Sequence, residues 1–212
     1  MKGLYCILCE EHSHGRSNLE VAREILAAGV KLLQYREKHK SRRAQYQECL
    51  KLRALTSRAG AALIVNDSPD LALAVKADGV HLGQEDMPVE AARKIMGRQM
   101  MVGVSTHAPD QARQAIKKGA DYIAIGPLYP TRTKEDVCPA VGLGYLDYAV
   151  RYVRIPFVAI GGIKLGNIEE ALSHGASCVA MVSEVVGAPD IRQRASQIQA
   201  RIAEFQRRVK GF

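Results

Sequence analysis

Short apolar runs alternate with longer amphipathic segments from one end of the chain to the other. The apolar runs are rich in the β-branched and aliphatic residues that are typical of buried strands; they cover residues 3–9, 32–35, 62–65, 79–82, 100–105, 122–125, 157–160 and 178–182. Each run is followed by a segment with apolar residues at helical spacing, at residues 19–28, 42–59, 69–76, 88–96, 109–118, 145–152, 167–174 and 190–209. A strand followed by a helix, repeated in this way, predicts an α/β protein with a single (β/α)8 TIM barrel formed by residues 1–212.

Glycines stand at the ends of several predicted helices, where a helix commonly ends in a left-handed residue; they are Gly29, Gly60, Gly97, Gly119 and Gly175. A doubly wound sheet would give the same alternation of strands and helices. Two features favour the barrel: no G-x-G-x-x-G motif follows the first strand, and polar residues recur just after many different strands. The connection of residues 126–144 is rich in Pro, Thr and Gly, and a loop of that length in a compact fold is usually functional.

The composition, with 47% apolar and 25% charged residues, is that of an ordinary globular protein. No apolar run approaches the roughly 18 residues of a spanning helix, and the first residues meet acid too early for a signal peptide, so we expect a cytoplasmic protein. The five cysteines are scattered through apolar runs, which favours reduced thiols over a disulfide framework. Cys6 and Cys9 form a C-x-x-C motif, but no second pair stands at zinc spacing.

The formal net charge of +8 favours anionic partners, which include nucleic acids, acidic membrane surfaces and phosphorylated metabolites. Much of the excess lies in residues 42–58 and 192–210, where a solvated helix face is the simplest interpretation. The chain has no Trp and no helix-turn-helix or RRM motif, which argues against nucleic acid. We therefore expect phosphorylated small molecules as partners, and neither nucleic acid nor a membrane.

Polar side chains follow the second, third and fourth predicted strands. Strand alternation would point Gln34, Arg36 and Lys38 the same way, where they can bind a diphosphate, and would turn Glu37 to the helices; a solvated strand end is the alternative. Asp67, after Asn66, and Asp86, after Glu85, follow adjacent strands, and carboxylates so placed suit Mg²⁺. Alternatively, each aspartate caps the helix that follows it.

Hydroxyl and basic groups follow the later strands. We expect Ser105 to form hydrogen bonds to a substrate or a helix end, rather than to act as a nucleophile, and His107 to be structural. Thr131, Thr133 and Lys134 in the long loop can surround a phosphate, with an exposed polar loop as the alternative. Gly161 and Gly162 permit close backbone approach, and the loops after the last two strands, including Val182 and Ser183, often bind phosphate in barrels.

Longer sequence motifs resemble those of a known family. The chain contains LLQYREKHKS, LIVNDSPDLALAVKADGVHLGQEDMP, VGVSTHAPDQA, ADYIAIGPLYPTRTKED followed by VGLGYL, PFVAIGGI and ASCVAMVSEV. In these phrases, from about residue 32 to residue 187, it resembles the thiamine phosphate synthase family. The departures are few: Tyr35 stands where many relatives carry an aliphatic residue, and Arg132 lies at a variable place.

The resemblance implies a reaction that joins a hydroxymethylpyrimidine diphosphate to a hydroxyethylthiazole phosphate, with Mg²⁺, giving thiamine phosphate and diphosphate. It implies that the pyrimidine diphosphate is held by Gln34, Tyr35, Arg36, Glu37, Lys38, Asn66, Ser105 and Lys134. It places magnesium at Asp67 and Asp86, and the thiazole phosphate at Thr131, Arg132, Thr133, Gly162, Val182 and Ser183. In the implied chemistry Arg36, Lys38 and Lys134 stabilise the departing diphosphate, and Ser105 orients the substrate.

Two other functions stay open on the same fold. A thiazole phosphate tautomerase would bind one product-like ligand and move a proton, and a non-catalytic sensor would bind thiamine phosphates without reaction. Relatives with tautomerase activity tend to lose the paired aspartates and the pyrimidine-binding residues. Asp67, Asp86, Asn66 and Lys134 are all present here, which favours the synthase. The oligomeric state, with a homo-oligomer as one possibility, does not follow from the sequence.

Overall fold

Eight parallel strands close into one barrel in the order of the chain. The computed structural model describes residues 1–131, 133 and 138–210. The strands are β1 (Gly3–Leu8), β2 (Leu32–Tyr35), β3 (Ala62–Asn66), β4 (Gly79–Leu82), β5 (Met101–Thr106), β6 (Tyr122–Ile125), β7 (Phe157–Ile160) and β8 (Cys178–Met181). The predicted (β/α)8 TIM barrel is thereby confirmed, with strand ends that differ from the predicted ones by no more than one residue.

Helices follow the strands and cover the outside of the barrel. They are α1 (Asn18–Ala27), α2 (Arg42–Ala59), α3 (Pro69–Ala74), α4 (Val89–Met96), α5 (Pro109–Lys117), α6 (Gly142–Tyr152), α7 (Ile168–Ser173), α8 (Ser183–Val186) and α9 (Ile191–Lys210), and a 3-10 turn spans Glu10–His12. The sequence did not predict α8, because four residues are too few to show helical periodicity. None of the described helices is long and apolar enough to cross a membrane.

Local signals explain where the helices begin and end. Helix α1 begins with a capping box, in which Ser17 accepts from the amide of Glu20 and the Glu20 carboxylate accepts from the amide of Ser17. Helix α2 ends at Gly60, whose φ of 58° and ψ of 40° are left-handed. The other glycines predicted at helix ends, Gly29, Gly97, Gly119 and Gly175, also have positive φ.

Alternate strand residues point into the barrel or out to the helices. The inner cluster is apolar and aromatic, and includes Tyr5, Ile64, Tyr122 and Val158. The residues between them face the helix layer and form the larger core. Two residues nearer the carboxyl end of a strand, the next side chain also points inward. Polar residues can occupy these positions, and this is where a site can form.

All five cysteines lie in described parts of the chain, and none is bridged. Cys6 and Cys178 are fully buried, and burial raises the pKa of the Cys178 thiol to about 12. The C-x-x-C motif is divided by the strand, because Cys6 lies within β1 and Cys9 lies just beyond its end.

Gly103 in β5 makes room for an aromatic ring inside the barrel. A Cβ atom at Gly103 would lie 2.0 Å from Cζ of Tyr122, which is fully buried in the neighbouring strand. The ring is enclosed in the barrel interior and Gly103 lies in the neighbouring strand, so neither can move far without disturbing the barrel.

We expect Gly103→Ala to lower the free energy of unfolding by about 2 kcal/mol or more, because the added methyl group overpacks the barrel interior. Chemical denaturation measures the change. Gly144→Ala is the matched control, because Gly144 lies in α6 with open space around its Cβ position; it should raise stability by roughly 0.5–1 kcal/mol. Equal stability of Gly103→Ala and the parent would contradict this account of the packing.

Candidate active site

A cavity of about 660 Å³ opens at the carboxyl ends of the strands. Many of the residues predicted to bind substrate line it: Gln34, Arg36, Asn66, Ser105, Thr131, Thr133, Gly162, Val182 and Ser183. They come from strand ends that are far apart in the sequence, and the closed barrel brings them together. This is the end of the fold at which barrel enzymes place their active sites.

Arg36 lies just after β2 at the cavity wall and is 9% exposed. Its Nη1 donates to Sγ of Cys9 at 3.9 Å, and its buried Nε has no hydrogen-bond partner among the described residues. A buried guanidinium N–H without an acceptor is costly in a folded protein. A ligand oxygen in the cavity would satisfy it, and a phosphate suits the charge and geometry of the group.

The side chains of Tyr35 and Glu37 point to the helix layer. Tyr35 donates to Glu48 of α2 at 2.7 Å, and Glu37 accepts from the amide of Glu10 and from the Asn18 side chain, both at 2.8 Å. The expected orientation of Glu37 is therefore confirmed. Their substrate-binding role, implied by the family resemblance, stays a prediction, and neither side chain lines the cavity.

Lys38, Asp67 and Asp86 meet at the rim beside the cavity. Lys38 Nζ lies 3.2 Å from Oδ2 of Asp67, and the carboxyl groups of Asp67 and Asp86 share a hydrogen bond. Asp86 Oδ2 also accepts from the amide of Gly83 at 2.6 Å. The alternative that the two aspartates cap helices is wrong, because α3 has Ser68 at its N-cap and α4 has Pro88 there.

The environment of Asp67 raises the pKa of its carboxyl group to about 6. Burial is the main cause, followed by the hydrogen bond and the like charge of Asp86; Lys38 offsets part of the effect. Its backbone φ of 61° is left-handed, an unusual conformation for a residue other than glycine. Burial and the neighbouring carboxyl group make Asp67 costly to ionise in the free protein, and a cation bound beside it would offset that cost.

Ser105 ends a chain of buried hydrogen bonds that crosses the barrel interior. Its Oγ lies 2.9 Å from Nε2 of His81, whose Nδ1 lies 3.0 Å from the hydroxyl of Tyr122. That hydroxyl lies 3.1 Å from the hydroxyl of Tyr5, which accepts from Nε2 of Gln34 at 3.0 Å. Tyr5, Tyr122 and His81 were not predicted as site residues. The alternation of His81 between Val80 and Leu82 in a strand could have indicated its inward position.

The loop after β6 bears the threonines expected at the thiazole phosphate. Thr131 and Thr133 line the cavity, and their hydroxyl groups are 3.0 Å apart. The backbone carbonyl of Thr133 lies 3.1 Å from Nε2 of His12, which follows β1. Arg132 and Lys134, both predicted site residues, lie outside the residues that the structure describes.

His107, expected to be structural, lines the cavity and contacts the carbonyl of Gly126 through Nδ1 at 2.5 Å.

The wall after β7 and β8 is formed largely by backbone. Gly161 and Gly162 have positive φ, and a Cβ atom at Gly161 would lie 2.3 Å from Cα of Pro127. The predicted close backbone approach is therefore confirmed. Val182 and Ser183 begin the short helix α8 at the cavity.

Cys9, Glu11 and His12 form a second group of possible ligands beside the cavity. Their ligand atoms lie within 4.8 Å of one another. The guanidinium of Arg36 touches the sulfur of Cys9, however, and a cation so close opposes metal binding there. The same argument applies to Asp67, which has Lys38 Nζ at 3.2 Å, so the nearness of a cation does not separate the two groups.

Comparison with known proteins gives a consistent answer. The sequence profile described as thiamine monophosphate synthase matches residues 4–185. A protein named thiamine-phosphate synthase from Pelotomaculum thermopropionicum is 52% identical over 200 residues, 94% of this chain and 92% of that protein. Another of that name, from Chloroflexus aurantiacus, is 45% identical over 206 residues, 97% of this chain and 95% of that protein.

Solved structures agree with the sequence comparison. A thiamine phosphate pyrophosphorylase from Pyrococcus furiosus has a TM-score of 0.88 and 37% identity, and 96% of each chain is covered. A 3-hexulose-6-phosphate synthase has a TM-score of 0.67 at 18% identity, covers 94% of this chain and 99% of its own, and is similar in fold alone.

The aspartate pair predicts a pH dependence of stability. Because the folded-state pKa of Asp67 lies above its ordinary value, the unfolded state binds fewer protons between pH 4 and pH 6, and stability falls as pH rises through this range. Asp67→Asn removes this ionisation and should stabilise the metal-free protein at pH 7 by on the order of 1–2 kcal/mol.

Denaturation at pH 4 and pH 7, without divalent metal, measures the effect. Asp70→Asn, at an exposed carboxylate three residues away, is the control and should keep the parent's difference between the two pH values. The same difference in Asp67→Asn as in the parent would show that the pair is not strained.

Proposed function

This chain belongs to the thiamine monophosphate synthase family and is a transferase, and from that premise we propose its substrates and chemistry. It joins 4-amino-2-methyl-5-(diphosphooxymethyl)pyrimidine to 4-methyl-5-(2-phosphooxyethyl)thiazole, and releases diphosphate and thiamine phosphate. The observation that carries the proposal is the buried Arg36 guanidinium, whose Nε lacks an acceptor among the described residues and which faces a cavity beside paired carboxylates. A substrate with a diphosphate and an accompanying cation complements both features.

The residues of the rim fit magnesium. Asp67 and Asp86 supply carboxylate oxygens from adjacent strand ends, the ligand type and number that magnesium takes from proteins when water and phosphate complete its shell. The effect of Asp86 on the pKa of Asp67 supports this, because groups that interact in this way lie close together. When bound, the ion would neutralise part of the diphosphate charge.

Protein cations then support departure of the diphosphate. Breaking the carbon–oxygen bond puts negative charge on the diphosphate and leaves a cationic pyrimidine methylene group. Arg36 at the wall and Lys38 at the rim are placed to stabilise the anion, and Lys134 is assigned the same role from the family resemblance. Because these charges are held in place before the reaction, little reorganisation is needed as the bond breaks.

The second substrate needs position and the exclusion of water. Thr131 and Thr133 on one side, and the backbone at Gly162, Val182 and Ser183 on the other, hold the thiazole phosphate. The thiazole nitrogen then attacks the methylene carbon. No protein nucleophile takes part, so the contribution of the fold is to keep the two rings in contact and water out.

The test is reconstitution of the reaction with the purified protein. Both substrates and Mg²⁺ should give thiamine phosphate and diphosphate in equal amounts, measured by chromatography and by a phosphate assay after pyrophosphatase treatment. No product with metal present, together with isomerisation of a thiazole phosphate, would identify a tautomerase. Binding of thiamine phosphate without any turnover would identify a sensor.

The carboxylate pair predicts dependence on metal. We expect EDTA to lower turnover by about 100-fold or more and Mg²⁺ to restore it, because the diphosphate charge is then neutralised. Asp86→Asn should raise the Mg²⁺ concentration for half-maximal rate by about 10-fold or more. Glu85→Gln, at an exposed carboxylate one residue away, is the matched control and should leave this concentration unchanged. Full turnover in EDTA would refute the metal role.

A further inference from the structure

The hydrogen bonds between Gln34 and Ser105 form one continuous chain through the barrel interior. The chain runs from Gln34 through Tyr5, Tyr122 and His81 to Ser105, with distances of 3.0, 3.1, 3.0 and 2.9 Å. Each of these five residues is less than 10% exposed. Gln34, Tyr5, His81 and Ser105 also line the cavity, so their polar groups pair with one another or with a molecule bound there.

The first donor sets the direction of the whole chain. The amide nitrogen of Gln34 donates to the hydroxyl of Tyr5, so the single hydrogen of Tyr5 goes to Tyr122. The hydrogen of Tyr122 then goes to Nδ1 of His81. A neutral imidazole whose Nδ1 accepts carries its hydrogen on Nε2, and that hydrogen goes to Oγ of Ser105.

The opposite direction would leave the hydrogen of the Tyr5 hydroxyl without an acceptor among the described residues. If Nδ1 of His81 donated to Tyr122 and Tyr122 to Tyr5, the Tyr5 oxygen would accept twice, from Tyr122 and from Gln34. Its own hydrogen would then have no acceptor among the described residues that contact it. Tyr5 lines the cavity, so only solvent or a ligand there could accept this hydrogen, and the first direction is favoured.

We propose that Tyr122 and His81 are positioning residues: the Tyr122 hydroxyl fixes the Nε2–H tautomer of His81, which makes the Ser105 hydroxyl a donor into the cavity. Because Ser105 Oγ already accepts from His81, its own hydrogen is directed to an acceptor atom of the bound pyrimidine. The functional part of this inference depends on the synthase activity proposed above. The tautomer of His81 does not, because it is a property of the protein without substrate.

The tautomer is measured in the free protein, without substrate or metal. Two-bond ¹H–¹⁵N spectra of the ¹⁵N-histidine-labelled protein distinguish the two tautomers, and His81→Gln assigns the His81 signals. We expect Nε2–H in the parent and in Tyr5→Phe, because Tyr122 still donates to Nδ1 in that variant. In Tyr122→Phe that donor is lost, and we expect about one tenth or more of the Nδ1–H form.

Kinetics test whether the chain acts through Ser105. Tyr122→Phe should lower kcat/KM for the pyrimidine substrate by about 10-fold, since an oriented hydrogen bond is lost. In a Ser105→Ala background the same substitution should change it less than about two-fold, because the group on which the chain acts is absent. Equal effects in both backgrounds would show that Tyr122 does not act through Ser105.

Tyr145→Phe is the matched control for loss of a buried hydroxyl. Tyr145 is also buried and donates to Oγ1 of Thr106 at 2.7 Å, and it takes no part in the hydrogen-bond chain from Gln34 to Ser105. It should show a similar loss of stability with the parent tautomer and the parent activity. An Nδ1–H tautomer in the parent would overturn the proposal even if the enzyme is active. If the synthase assay fails, the tautomer measured in the free protein still tests the first part of the proposal.

Discussion

Closure of eight parallel strands into one barrel is the constraint on which the other features depend. Closure pairs every strand on both sides, and it brings all the carboxyl ends to a single rim. Because side chains alternate along a strand, each strand offers one inward position near its middle and another near that rim. In this protein Asn66 and Ser105 are polar rim positions on β3 and β5, whereas Ile7, Ala124 and Ile160 keep the rim apolar on β1, β6 and β7. A site assembled from sequence segments more than 100 residues apart therefore needs no special local structure, since the barrel itself makes the segments neighbours.

Packing within the barrel also determines how the polar groups above it are held. The ring of Tyr122 fits against β5 because Gly103 has no side chain. That fit puts the phenol oxygen within hydrogen-bond distance of both Tyr5 and His81. Apolar packing and polar orientation are thus properties of the same ring. Outside the barrel, Lys40 contacts Glu10 and Glu48 at 2.8 Å each, which ties the loop after β2 to the loop after β1. The loop that bears Arg36 and Lys38 is held from behind by this ion pair network.

The strands and most helices could be predicted because their evidence is local: apolar runs, helical spacing and glycines at helix ends. Candidate site residues at or shortly after strand ends, such as Asn66 and Asp86, could be proposed in the same way. Tyr5 and Tyr122 could not, because a tyrosine in an apolar strand looks like core, and their contact joins residues 117 positions apart. Alternation correctly predicted that Glu37 faces the helices. It applies equally to Tyr35, whose hydroxyl contacts α2, although family resemblance groups this residue with the substrate-binding positions.

The remaining question is why the rim keeps features that oppose folding. Arg36 has a buried N–H without an acceptor among the described residues, and burial beside Asp86 makes the Asp67 carboxyl group costly to ionise. Each feature costs stability in the free protein. The first favours an anionic ligand, and the second favours a cation. A ligand that carries phosphate oxygens relieves the first, and a cation that accompanies it relieves the second, so both costs are recovered in one binding event. An anion alone would relieve only the first, and a cation alone only the second. On the function proposed above, a metal-bound diphosphate would satisfy both groups, and the charges that bind it would be in place before the carbon–oxygen bond begins to break.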